Sequence, residues 1–164
     1  MPWLTADEHQ EEVEAARDIV LRRLDRSPAP RAALAGLLAR KEVASDVAQE
    51  VLDRLESVGL VDDAAYAAAL ARTRFAEKGA ARRAIADELR RKGLKEGDIR
   101  AALEQIDSDD EAVAALALAR KKLAATRGLE PVARRRRALA LLGRKGYSRE
   151  DALCAVDRAL AEQG

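Results

Sequence analysis

The residues of this chain best suited to engaging a partner are cations, and they recur. Arg40-Lys41-Glu42-Val43, Arg91-Lys92-Gly93-Leu94 and Arg144-Lys145-Gly146-Tyr147 begin 51 and 53 residues apart. Arg31, Arg82 and Arg135 each stand twelve residues before the apolar anchor that closes their copy, and Arg83 adjoins the second of them. The densest run is Arg134-Arg135-Arg136-Arg137. Guanidinium and ammonium groups in this pattern suit electrostatic capture of phosphates or carboxylates on an extended, periodic partner. Arg31, Arg40, Lys41, Arg82, Arg83, Arg91, Lys92, Arg134, Arg135, Arg136, Arg137, Arg144 and Lys145 are therefore the candidate partner-binding residues. A plainer role exists for each. Cations at a helix C-terminus serve the macrodipole, with Gly93 and Gly146 at the left-handed C′ position. Four consecutive arginines fan around a helix at about 100° each, as a solvated surface would.

Other chemistries lack parts. Asp62-Asp63 and Asp109-Asp110 each precede an apolar helical stripe, where N-capping and the positive dipole end account for them. His9 is the only histidine and lies in an acidic leader; Cys154 is the only cysteine and sits in an apolar segment as a small core filler. No nucleophile–base pair can be assembled from these, and no glycine loop of the phosphate-cradling types occurs. The expectation is a non-enzyme with no cofactor and no metal. Base-specific nucleic-acid readout is disfavoured, because the chain has no Asn and few aromatics (Trp3, Tyr66, Phe75 and Tyr147).

The elements that must position these cations are helices. Charged residues make up 36% of the 164 and aromatics 2%; with Ala, Leu, Arg and Glu dominant, sheet is disfavoured. Apolar residues fall at i, i+3, i+4 and i+7 throughout. The spacing predicts nine helices in three sets of three. The first set has helices over about 13–26, 31–41 and 46–57. The second opens at Asp62-Asp63 with Tyr66, Leu70 and Thr73 on one stripe, then places Ile85 and Leu89 on a second helix and Ile99, Leu103 and Ile106 on a third. The third set carries Val113, Leu116, Ala117 and Leu123, then a helix with Pro131 near its first turn, then Ala152, Val156 and Leu160. Ser108-x-x-Glu111 and Ser148-x-x-Asp151 read as capping boxes.

Aligned on the basic corners, Leu34, Ile85 and Ala138 superimpose, as do Leu38, Leu89 and Leu142. Such self-similarity marks a repeat array. The fold expected is all-α: three tandem three-helix repeats in an elongated, curved array. Residues 1–12 form a loose acidic leader, and the repeats span 13–60, 61–107 and 108–164. A trio of about 45 residues is small for its own core, so the first and last helices of neighbouring sets are expected to pack on one another.

Charge is uneven. The net is +1, yet residues 1–16 carry five acids and no cation, which leaves +6 for the rest. A single cysteine and the lack of a basic-then-apolar N-terminal segment predict a cytoplasmic protein. No apolar run approaches the length of a membrane span.

Leu55-Glu56-Ser57-Val58-Gly59-Leu60-Val61-Asp62-Asp63-Ala64-Ala65-Tyr66-Ala67, then Arg72 and Arg74, resembles the signature of the RecX regulatory proteins. So does Lys78-Gly79 leading to Ile85 and then to Glu88-Leu89-Arg90-Arg91-Lys92-Gly93-Leu94. The resemblance extends over about residues 13–162. It implies tandem three-helix repeats in a bacterial cytoplasmic protein that lies along the groove of the RecA recombinase filament. It further implies inhibition of RecA ATPase, strand exchange and coprotease functions, limiting DNA recombination and the SOS response in the regulation of DNA repair. One departure is Glu42, which stands where the family has glycine at the repeat corner, followed by a loop that reads as one residue shorter.

Two other readings use the same cations. One is a sequence-nonspecific nucleic-acid-binding protein, whose contact with single- or double-stranded DNA would be weak and salt-sensitive. The other is a helical scaffold for another protein partner, its cations serving only helix ends.

Overall fold

The computed structural model describes residues 6–164. They form nine helices: α1 (Ala6–Arg26), α2 (Arg31–Arg40), α3 (Ser45–Ser57), α4 (Asp63–Lys78), α5 (Arg82–Arg91), α6 (Glu96–Leu103), α7 (Ser108–Ala125), α8 (Pro131–Arg144) and α9 (Arg149–Gln163). No strand occurs among the described residues. None of the helices is long and apolar enough to cross a membrane.

The nine fall into three trios, and every pair of helices in extensive contact belongs to one trio. Each trio has its own core. The first is built from Val13, Val20, Leu34, Leu38, Val51 and Leu55. The second gathers Ala67, Ala71, Ile85, Leu89, Ile99 and Ile106, and the third Ala119, Leu123, Ala138, Leu142, Tyr147 and Val156. Packing of first and last helices between neighbouring sets, expected from the size of a trio, does not occur. The reason lies in the alanines. Ala67, Ala71 and Ala102 are buried on the paired helices α4 and α6 of the second trio, and Ala115, Ala119, Ala155 and Ala159 on α7 and α9 of the third. Small side chains there let helix axes approach closely, so about 45 residues suffice for a closed core.

The repeat register extends through all three helices. Leu34, Ile85 and Ala138 are 0%, 1% and 0% exposed, and Leu38, Leu89 and Leu142 are wholly buried. On the first helices the matching buried positions are Ala16, Ala67 and Ala115, then Val20, Ala71 and Ala119. The accessible surface is 10384 Å², against about 8,000 Å² for a compact monomer of this size. The trios thus form an elongated string.

Several local expectations are corrected. α1 begins at Ala6, so residues 6–12 are helical, not a loose leader. His9 Nε2 lies 2.7 Å from Glu50 Oε2 and ties these added turns to α3; residues 1–5 lie outside the described residues. Val113 and Ala117 face outward, Val113 at 70% exposure, because α7 buries Ala115, Leu116, Ala119 and Leu123 instead. Thr73 is likewise exposed, two positions past the buried Ala71. Cys154 is exposed on α9 while Ala155 and Val156 fill the core. The capping box of α7 joins Asp107 and Asp110, one residue earlier than Ser108 and Glu111. Ser148 does cap α9, accepting from the Asp151 N–H at 3.1 Å. The loop after Glu42 is not shorter. The N-caps Ala44, Lys95 and Ser148 all stand four residues after the arginine of their corner.

Candidate functional site: a row of cationic corners

Each corner ends a second helix in the same way. Lys41, Lys92 and Lys145 are the C-caps of α2, α5 and α8. The next residue turns left-handed: Gly93 at φ +82° and Gly146 at φ +94°, but Glu42 at φ +60°. The Val43, Leu94 and Tyr147 N–H groups then donate back to the Leu38, Leu89 and Leu142 carbonyls at 3.0, 3.1 and 3.1 Å. This is a Schellman closure repeated three times, with its apolar anchor tucked against the core. It fixes where the Arg-Lys pair leaves the helix.

The corners are also the joints between trios. A Cβ on Gly93 would stand 2.6 Å from the Ala32 Cβ. One on Gly146 would stand 2.6 Å from the Ala84 Cβ and 3.0 Å from the Ala84 nitrogen. The end of α8 therefore abuts the start of α5, and the end of α5 abuts the start of α2. Successive corners are about one helix length apart, roughly 15 Å for ten residues.

The joints share one polar staple. The Arg31 backbone N–H donates to Asp63 Oδ1 at 2.8 Å, and the Arg82 N–H donates to Glu111 Oε2 at 3.0 Å. Each reaches a carboxylate of the next trio and satisfies an orphan donor at a helix N-terminus. The longer Glu111 also accepts from Arg82 Nε at 2.6 Å. The second joint has two further ties. The Ala81 N–H donates to the Lys145 carbonyl at 2.8 Å, and the Tyr147 hydroxyl donates to the Gly79 carbonyl at 2.7 Å. Burial, with the Glu111 and Asp151 carboxylates nearby, pushes the Tyr147 phenol up to about 12. In the first joint Pro30 occupies the position of Ala81 and has no N–H to give.

This geometry divides the candidate cations. Arg31 pairs with Asp53 at 2.7 Å and Glu56 at 3.0 Å, and Arg82 pairs with Glu111. Arg135 bonds Asp157 at 3.1 Å. Arg134 donates to the Leu123 carbonyl at 2.8 Å and to Gln163 at 3.1 Å, closing the end of α7 from within its own trio. The matched arginines are thus engaged within the chain, Arg31 and Arg135 inside their own trios and Arg82 across the second joint, which the sequence alone does not reveal. Asp63, first read as a helix-end carboxylate, does this work at the first joint; its neighbour Asp62 is the true N-cap, accepting from the Ala65 N–H at 3.0 Å.

The remaining candidates are Arg40, Lys41, Arg83, Arg91, Lys92, Arg136, Arg137, Arg144 and Lys145. All are exposed except the half-buried Lys145. None has a carboxylate within ion-pair distance among the described residues. They follow the row of abutting second helices. The array can therefore offer unneutralised cations at regular intervals. It offers no cluster of His, Cys, Asp and Glu able to hold a metal among those residues.

Residues 62–103 match the family model for the second three-helix domain of RecX, and residues 109–156 match that for its third. The chain is 45% identical to the regulatory protein RecX of Streptomyces lividans, over 93% of this chain and 81% of that one. It is 44% identical to RecX of Thermobifida fusca, over 91% and 80%. A crystal structure of regulatory protein RecX superimposes with a TM-score of 0.78 at 24% identity, over 94% of this chain and 78% of that chain. RecX from Lactobacillus salivarius superimposes with a TM-score of 0.80 at 17% identity, over 92% and 97%. By these likenesses the chain belongs to the RecX family of regulatory proteins.

Proposed function

We propose that this chain binds the RecA recombinase filament and inhibits its ATPase, recombinase and coprotease activities, with the unpaired corner cations as its contacts. Family membership supports the partner. The observation that carries the contact assignment is the division among the cations. Arg31, Arg82, Arg134 and Arg135 are engaged within the chain, whereas Arg91, Lys92, Arg144 and Lys145 project at successive corners without carboxylate partners. A row of like charges at regular intervals suits an acidic surface repeated along a polymer, and long-range attraction would speed its encounter. Arg136 and Arg137 extend the row along the middle of α8 and would also meet the phosphates of filament DNA.

The test is RecA ATPase on single-stranded DNA. The unaltered chain is expected to inhibit at or below stoichiometry, and Arg91→Glu with Lys92→Glu to inhibit at least tenfold less while melting normally. Absence of inhibition by the unaltered chain refutes the function; unchanged inhibition by the reversed pair refutes the contact assignment. Tight binding to bare DNA that equals binding to the filament would favour the nucleic-acid reading.

A further inference from the structure

The two joints carry the same groove. In the first joint it runs between the end of α1 and the outer face of α4, lined by Ala65, Tyr66, Ala69 and Leu70. In the second it runs between the end of α4 and the outer face of α7, lined by Val113, Ala114, Ala117 and Leu118. These residues match one for one at a constant offset of 48, the offset that superimposes Ala67 on Ala115 and Ala71 on Ala119. On the far wall Leu24 matches Phe75, and Pro28 matches Gly79, at the offset of the first corners. Val113, turned outward from its own core, rims a groove that exists twice.

Cations mark both grooves. Lys78, Lys121 and Lys145 line the second, against Glu77 and Asp110. Tyr66 connects the first to a neighbouring recess lined by Arg23, Arg91 and Lys92. Lys92 and Lys145 are the same residue of the repeat, so each groove has a corner lysine beside it. On α1 the corresponding face carries Glu11, Glu14 and Asp18, all exposed, so carboxylates stand where Ala65 and Ala69 line the first groove and Val113 and Ala117 the second.

We infer that the two joint grooves are a tandem pair of docking sites for one repeated element: an apolar side chain flanked by a carboxylate, presented by successive protomers of the polymer. The inference rests on the filament-binding reading above and adds to it where, and by which chemistry, successive protomers are held. The apolar group would fill the helix–helix groove, and the carboxylate would meet the corner lysine. A single protomer could occupy only one groove at a time. A polymer occupies both, and the second engagement is intramolecular.

The experiment compares Ala69→Glu, Ala117→Glu and the double variant. Both positions are exposed mid-helix, where Glu is a good helix former, so the fold is retained; circular dichroism checks this. Binding is read by fluorescence anisotropy against RecA filaments on single-stranded DNA, against a polymerisation-defective RecA monomer, and against the bare DNA. Either single variant is expected to weaken filament binding at least tenfold but monomer binding only about twofold, since one groove remains. The double variant is expected to lose both. Filament binding by the unaltered chain with no effect of either variant overturns the inference and leaves the filament reading intact. Equal losses on monomer and filament overturn the tandem pairing. Parallel losses on bare DNA assign the grooves to nucleic acid and overturn the protein occupant. No filament binding by the unaltered chain overturns both readings.

Discussion

Replacing Gly146 by alanine tests the second joint most directly. Gly146 sits at φ +94°, where an L side chain costs about 1–2 kcal/mol. Its new Cβ would stand 2.6 Å from the Ala84 Cβ, 3.0 Å from the Ala84 nitrogen and 3.2 Å from its Cα. Two of those three atoms are backbone, so no rotamer change relieves the overlap, and forced overpacking costs about 1–3 kcal/mol. The closed joint is held by the Ala81–Lys145 and Tyr147–Gly79 hydrogen bonds, each contributing about 0.5–1.5 kcal/mol. The half-exposed Arg82–Glu111 pair adds at most about 1 kcal/mol. Clash and closure are comparable, so the variant is expected to open the joint instead of unfolding the third trio. Hydrogen exchange should show the Ala81 amide losing protection at least tenfold while the α7–α9 core amides change little. Gly93→Ala meets only the Ala32 Cβ, again at 2.6 Å. Adding Ala32→Gly should therefore remove the clash there, whereas Ala84→Gly should rescue Gly146→Ala only in part. A Gly146→Ala chain with wild-type Ala81 protection, or one fully rescued by Ala84→Gly, would refute the reasoning.

Two further outcomes are expected. Glu42 holds a left-handed conformation without being glycine, so Glu42→Gly should raise the stability of the first trio by about 0.5–1 kcal/mol, net of the entropy of the added glycine; a lower urea midpoint would contradict this. The Arg74 guanidinium, hydrogen-bonded to Glu88 at 2.8 and 2.9 Å, holds the Glu88 carboxyl below the usual carboxylate range. A depressed folded-state value means that its stabilisation is present at neutral pH and lost as pH falls below that range. Glu88→Gln should cost up to about 1 kcal/mol at pH 7, and its denaturation curves should converge with wild type in acid; a constant gap across pH would exclude the linkage.

The helices and their register were legible because burial repeats faithfully. Leu34, Ile85 and Ala138 align by eye, and so do the three corners. What the sequence hid was how the trios join. Arg31 and Asp63 are thirty-two residues apart, and nothing local distinguishes a guanidinium that pairs inside the chain from one left for a partner. The equivalence of Asp63 and Glu111 was masked by a change of residue type and by a longer α7–α8 connection and a longer α8, which shift the offset of first helices from that of corners. Alanine also misled. Helices as alanine-rich as α7 and α9 present similar faces all round, so Val113 and Cys154 were read as interior when Ala115 and Ala155 fill that role.

Because each trio closes over its own core and meets its neighbour through little more than a corner, the chain should not melt as one thermodynamic unit. On heating it should take up its unfolding enthalpy in parts, with the van 't Hoff value falling short of the calorimetric one. The same independence gives the lineage freedom: a trio could be duplicated, or lost, with only a corner glycine and one carboxylate needed to seat the next.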